Sequence, residues 1–492
     1  MAASFASIQF GYADAHKEGS EEPDLLIDGF LDDARVMDSA LRGSPFLFLG
    51  YKGCGKTAIV ERAKLLAERD PQLFVTAATL EEFSYTDFKT FAGVSGDFQS
   101  RYPAAWAWSL LLLLIQSFEA DESARLEAQR PYTKAVTGLR ELDLMPVPQL
   151  NQLVSRSSKR GFKAGIPKFL EVNEERVYEG QDLQLSQMVA VLRAAVKSFR
   201  TDSTHVVFVD GLDDVLTTRE LQFQAIAALI TEVSRLNGEL RVAGCPAKFV
   251  VLCRTDIFDR LPGANKNKIR QDSSVELDWY HDPRDPAGSR LHTLVNLRAS
   301  VSLGREVDVF QELLPRMVDG RPAVRYLLDH TRHTPRDVLQ LMRAIQGFVE
   351  HDGPVTEREI RSGLRTYSTR YFLPELRDEL HGYAEPTQID SVVALLTSLE
   401  RDRFSLDELH AQLELLGFPP IDLPALVRTL FECGGLGMIE EQHSGAPHYT
   451  FKYRNRHAIP IPTRRWVIHM GALKALNIER PRRPTRRGGR GR

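Results

Sequence analysis

Apolar residues in this chain fall into short runs separated by longer stretches of helical period. Residues 45–49 (PFLFL) are apolar, a Gly-rich turn follows, and residues 57–69 take helical spacing. Strand, turn and helix in that order open an α/β unit. Four further runs, at 73–80, 205–209, 248–253 and 274–279, predict more strands. Short apolar runs between helical segments indicate a parallel sheet with helices on both faces. The interval 81–204 contains helical patterns at 106–119 and 183–199 and a basic stretch at 156–168. It is too long for a bare loop, so it reads as an inserted helical subdomain. The pattern is helical again over 306–349 and 357–380. Between 388 and 454 come helical stretches, then two strand-like runs (GMIEEQ and HYTFKYRN) around a Ser-Gly turn at 443–446. Helices followed by a hairpin predict a winged helix. A last helix is expected at 466–476, and a disordered tail beyond. Of residues 1–44, the first half is polar and reads as irregular, the second as helical.

Composition narrows the class. At 492 residues, 43% hydrophobic and 26% charged, the chain has room for about three domains and a large core. The four cysteines (Cys54, Cys245, Cys253 and Cys433) form no CxxC pair and have no zinc-ligand spacing. They read as reduced thiols of a cytoplasmic protein. The most apolar segment, 103–115, is shorter than the ~20 residues that span a bilayer, so it reads as a buried helix and no membrane is expected. No secretion signal is visible at the start. The net charge is −3, yet the last 13 residues hold seven Arg and no acid, so the body alone stands at −10. Such a tail invites nonspecific contact with nucleic acid.

The chemistry concentrates after the first strand. Gly50, Tyr51, Lys52, Gly53, Cys54, Gly55, Lys56 and Thr57 match GxxxxGK[ST] in full. The glycines let backbone N–H groups turn inward around phosphate oxygens, and the following helix adds its positive end. Lys56 would reach the β- and γ-phosphates, and Thr57 would offer its hydroxyl to Mg²⁺. The run HVVFV ends in Asp210, a carboxylate at a strand tip suited to Mg²⁺. Asp213 or Asp214, just beyond, would polarise the attacking water. Arg254 follows the next strand and would sense the γ-phosphate. Arg336, in His-Thr-Pro-Arg-Asp at a helix start, could reach the phosphates from a lid or serve in a salt bridge. No Ser-His-Asp set or His/Cys metal cluster stands out. Nor does a second substrate pocket, which sets a metabolic kinase last.

With these residues in place, the chain resembles STAND- and AAA+-type P-loop ATPases. The GYKGCGKT loop, the VVFVDGLDD strand, Arg254, a helical lid and a winged helix recur there in that order. More narrowly, LGYKGCGKTA, FVDGLDD and R-x-D-x-F (from Arg254 to residue 258) resemble a group of bacterial P-loop ATPases, some linked to antiphage defence. The resemblance implies ATP with Mg²⁺, a homo-oligomer and a separate effector protein. Its usual catalytic Glu is Asp here, at 213 or 214. The expected fold is α/β: a P-loop NTPase parallel sheet with helical insertion, helical lid and C-terminal winged-helix domain. The expected segments are a lead-in at 1–44, a core at 45–300 with the insertion at 81–204, and a lid with connecting helix at 301–385. The winged helix follows at 386–478 and the Arg-rich tail at 479–492. A DNA-binding ATPase of loader or regulator type is the alternative. Against specific reading, its candidate recognition helix at 423–432 has one Arg and one Glu.

Overall fold

Five strands form a parallel sheet in the order β2-β3-β4-β1-β5. They are β1 (Leu47–Leu49), β2 (Leu73–Thr79), β3 (Thr204–Asp210), β4 (Ala247–Cys253) and β5 (Ser274–Glu276). Each of the five predicted runs forms its strand, shifted at the ends by a few residues at most. The computed structural model describes residues 4–80, 88, 101–122, 130–142, 144–145, 181–212, 220–263, 265–281, 285, 288–380, 386–418, 420–441 and 447–479. The basic stretch at 156–168 and the Arg tail from 480 on lie outside the described residues. The chain divides into two compact units, residues 14–278 and residues 1–13 with 279–492.

In the first unit, α1 (Ala15–Glu21), α2 (Pro23–Asp28) and α3 (Val36–Leu41) precede β1, and α4 (Lys56–Arg69) follows it. Next come α5 (Tyr102–Glu119), α6 (Arg130–Glu141), α7 (Gln181–Ser198), α8 (Glu220–Val242), α9 (Thr255–Arg260) and α10 (Lys266–Ser273). The middles of the central strands, Val206–Val209 and Phe249–Val251, are β-branched or aromatic and fully buried, as strands covered on both faces must be. The apolar segment near 103–115 is part of α5, which is buried almost all round. Its Trp106 ring N–H donates to the Ala225 carbonyl at 2.8 Å. α5 and α7 share one hydrophobic core with the sheet and α8. The described helices of 81–204 therefore cover the sheet as a layer of the α/β core. The reason is physical: a sheet face left bare would expose its apolar side chains, at about 25 cal/mol per Å². The same core buries His205, bonded to Ser117 at 2.9 Å and facing Asp121 at 3.3 Å. Burial lowers its pKa to about 4 against the partial support of Asp121, so the ring is neutral.

The second unit begins with a strap. Phe5, Ile8 and Phe10 are buried, and a 3-10 turn spans Phe5–Ser7. This unit holds α11 (Arg290–Leu303), α12 (Ala323–Leu328) and α13 (Pro335–Gln346), of which α11 and α13 hold the strap. Gln346 donates to the carbonyls of Phe5, Ala6 and Ile8 at 3.1, 3.1 and 2.6 Å. Arg298 donates to the Phe10 carbonyl at 2.9 Å. Arg343 donates to Gly11 at 3.2 Å and covers the Tyr12 ring. This polar segment was expected to be irregular. Partners more than 280 residues away hold it in place, and no local pattern reports them. A short hairpin, β6 (Met317–Val318) and β7 (Arg321–Pro322), interrupts the helical pattern predicted over 306–349. The connecting helix at 357–380 is α14 (Glu357–Tyr367), a π turn (Ser368–Phe372) and α15 (Leu373–Leu380).

The C-terminal part holds α16 (Pro386–Ser398), β8 (Arg403–Phe404), α17 (Leu406–Leu416), α18 (Leu423–Glu432), β9 (Leu436–Glu441) and β10 (Pro447–Thr450). β11 (Arg465–Ile468) and α19 (Met470–Leu473) close it. The antiparallel order is β10-β9-β11-β8. The helix expected at 466–476 is thus a strand followed by one helical turn. Trp466, Val467 and Ile468 favour a strand, and β9 offers them a free edge with Trp466 opposite Met438. His469 then caps the turn by accepting from the Gly471 N–H at 3.0 Å. Among the described residues, no helix is long and apolar enough to cross a membrane.

Candidate functional site

Parallel strands place their C-terminal ends along one edge of a sheet, where loops gather ligand-binding groups. In this order β4 lies between β1 and β3. The loop of residues 50–57 after β1, Arg254 after β4 and Asp210 at the tip of β3 therefore follow one another along that edge.

The loop is built by its glycines. Gly53 and Gly55 sit at φ of 82° and 97°, where a side chain would be strained. Beside Gly55 the space is open, with nothing within 4 Å of where a Cβ would stand. Gly50 is required for another reason: a Cβ there would come 2.2 Å from the Cys54 sulfur. Cys54 is buried, which fits a packing role better than a reactive one. Gly55 caps α4, so Lys56 and Thr57 open that helix. Lys56 is only 4% exposed, and its ammonium donates to the Gly50 and Tyr51 carbonyls, both at 3.3 Å. A cradle of inward-turning backbone, a helix start and a buried ammonium fit the phosphates of a nucleotide. Thr57 and Asp210 are the residues suited to a Mg²⁺ that keeps most of its ligands as water and phosphate oxygen.

Arg254 stands where the sequence places it, but it is not idle. Its guanidinium grips both carboxylate oxygens of Asp256, at 3.0 and 2.8 Å. Burial alone would raise the Asp256 pKa. Arg254 first, and Lys56 after it, outweigh burial and hold the carboxyl below its usual range. Asp256 is the site residue that the sequence reasoning missed. The signal was present in the i, i+2 spacing of R-x-D at the strand tip. Asp213 and Asp214 lie outside the described residues. Arg336 belongs to the other unit, at the first turn of α13, where its nearest carboxylate oxygen, on Glu375, is 3.8 Å away. At the limit of an ion pair, this contact constrains the side chain little.

The pair makes opposite-signed predictions. Asp256→Asn removes a negative charge beside Lys56, so ATP should bind several-fold more tightly. Arg254→Ala removes a positive charge and should weaken binding about tenfold. Titration with a fluorescent ATP analogue measures both. Equal weakening by the two would show that the pair is only a brace.

Comparison with known proteins gives likenesses of limited extent. The FunZ-associated C-terminal helical domain family matches residues 289–373, which lie in the second unit. No curated protein sequence matches the chain. Among solved structures, the Aeropyrum pernix ORC1 protein in complex with DNA is similar at 14% identity and TM-score 0.39, covering 93% of this chain and 94% of its own. Cdc6p from Pyrobaculum aerophilum is similar at 13% and 0.32, covering 95% of each chain. The Thermotoga maritima RuvB Holliday junction branch migration motor is similar at 12% and 0.34, covering 93% of this chain and 100% of its own. Likenesses this distant carry no activity across. What stands on this chain's own geometry is an α/β fold whose parallel sheet carries a P-loop at its ligand edge.

Proposed function

We propose that this chain is an ATP-binding and ATP-hydrolysing switch of STAND/AAA+ type, working in bacterial signalling or antiphage defence through a separate effector. The observation that supports it most is the phosphate loop, with Lys56 buried at the start of α4 and Gly53 and Gly55 turned to positive φ. In this reading the loop amides and Lys56 hold the β- and γ-phosphates. Mg²⁺, held by Thr57 and Asp210, supplies charge neutralisation on the phosphates. Asp213 or Asp214 orients the attacking water, and Arg254 and Arg336 read the γ-phosphate. Lid and C-terminal helices then change position with the nucleotide, and copies of the chain assemble. Mass photometry of the pure protein, nucleotide-free and with ATP·Mg²⁺ or a nonhydrolysable analogue, tests this. Growth in mass with ATP is expected. A constant mass in every nucleotide state would end the assembly reading.

A second reading, a DNA-binding ATPase, draws on one feature of the C-terminal part, which we read as a winged helix. Its α18 presents little to a DNA groove: Glu432 is occupied by Lys452 at 3.2 Å. The segment between β10 and β11 with the start of β11 is better suited, with exposed Arg464 and Arg465 near Ile459 and Ile461, 76% and 43% exposed. Arginines with apolar wedges suit a minor groove, and the Arg tail would add affinity that falls with salt. Constant mass together with salt-dependent DNA binding would move this reading to the front.

A further inference from the structure

At the N-terminal ends of β3 and β4 lies a cavity of about 280 Å³. The strands are parallel and β3 has seven residues, so this end is roughly 20 Å from the phosphate loop's edge. The lining includes Arg42, Arg241 and Lys248, and no carboxylate.

Each cation arrives there for a local reason. Lys248 donates to the carbonyls of Ser39 and Gly43 at 2.6 and 2.8 Å, closing the C-terminal end of α3. Arg42 follows the last residue of α3, and Arg241 lies in the last turn of α8. Cations at helix C-termini are ordinary. Three of them around one cavity are not explained by the two helix ends alone. Among the described residues, neither Arg42 nor Arg241 pairs with a carboxylate. Lys248 is the group under most pressure: burial, with Arg241 adding to it, lowers its pKa to about 7, and Asp38 opposes this only in part. Two of its three donors are spent on carbonyls, which fixes the ammonium in place. Thr204 and Ser44 add hydroxyls to the lining. The lining thus gathers three cations and two hydroxyls with no carboxylate to balance them.

We propose that the cavity binds a small phosphate-bearing anion through Lys248, Arg241 and Arg42, as a second site separate from the phosphate loop. The volume suits a phosphate or a compact phosphate ester and is small for a nucleoside triphosphate. Lys248 lies at the start of β4 and Arg254 follows its last residue, so one buried strand reaches both sites.

The test is calorimetric titration of full-length Lys56→Ala with inorganic pyrophosphate, since that change weakens the phosphate loop. One site is expected to remain. Adding Arg42→Ala and Arg241→Ala should weaken it about 30-fold, the loss of two charge-assisted contacts. Adding Arg358→Ala and Arg365→Ala instead should leave it unchanged. Both arginine pairs are exposed, so neither change threatens the fold. Absence of the remaining site, or equal weakening by both pairs, overturns the proposal. Competition by AMP would assign the site to phosphate esters, and its absence to inorganic anions. The outcome does not depend on whether the phosphate loop binds ATP.

Discussion

Lys56→Ala is expected to abolish tight ATP binding, lowering affinity on the order of 100-fold or more, while the protein stays folded. The ammonium is buried and rests on two loop carbonyls, Gly50 and Tyr51. It is thus held where the phosphates would lie before any nucleotide arrives. Its removal takes away a fixed positive charge in a partly dry site, where a charged hydrogen bond is worth about 1.5–3 kcal/mol and each phosphate oxygen left unmatched adds to the loss. Alanine is a good helix former at the start of α4, so the helix itself should persist. A fluorescent ATP analogue measures affinity, and a thermal melt without nucleotide checks the fold. Affinity within threefold of the parent protein, with an unchanged melt, would remove the phosphate-loop assignment.

The second large effect concerns stability. Arg332→Ala or Asp337→Asn should each cost about 3–5 kcal/mol, because either leaves a buried charge without its partner. Arg332 grips both Asp337 oxygens at 3.0 Å, and its backbone N–H donates to the same carboxylate at 2.8 Å. Tyr371 donates to Asp337 at 2.9 Å, and Arg332 also reaches Glu379 at 2.5 Å. The network ties the start of α13 to the π turn and α15. Burial alone would raise the Asp337 pKa, but Arg332 above all brings it down to about 2, from 3.8. The sign follows: a depressed carboxyl stabilises the fold at pH above its unfolded value, and that gain is lost as pH falls from about 4 toward 2. Calorimetric melts should show this acid-sensitive component in the parent protein and not in Asp337→Asn. An unchanged melting temperature at pH 7 in both variants would show the network to be incidental.

Much of the site was legible along the chain, for a definite reason. Residues 50–57 are consecutive, and phosphate binding by backbone needs glycines at fixed spacing just before a helix, so the chemistry is local. Asp210 and Arg254 were legible too, because each ends a buried strand and parallel strands share a ligand edge. Asp256 was harder: its partner Arg254 is two residues away, but the charge of Lys56 that also acts on it lies two hundred residues earlier in the chain. Arg332 and Asp337 gave no signal of burial, because charged residues near a helix start are ordinary on a surface.

By itself, then, the sequence determined the elements whose cause is local: five strands from apolar runs, α4 from its glycine cap and period, and the phosphate loop. Only the tertiary structure decided the rest. It made α5 a layer of the core, since covering a sheet is a long-range demand. It bound residues 5–11 to α11 and α13 through carbonyls that carry no side-chain signature. It turned Trp466–Ile468 into a strand because β9 presented an unpaired edge. It also brought Arg42, Arg241 and Lys248 to one cavity from three elements that are separate in the sequence. Periodicity reports which face of an element is apolar. What that face meets depends on contacts between distant residues, and those exist only once the chain has folded.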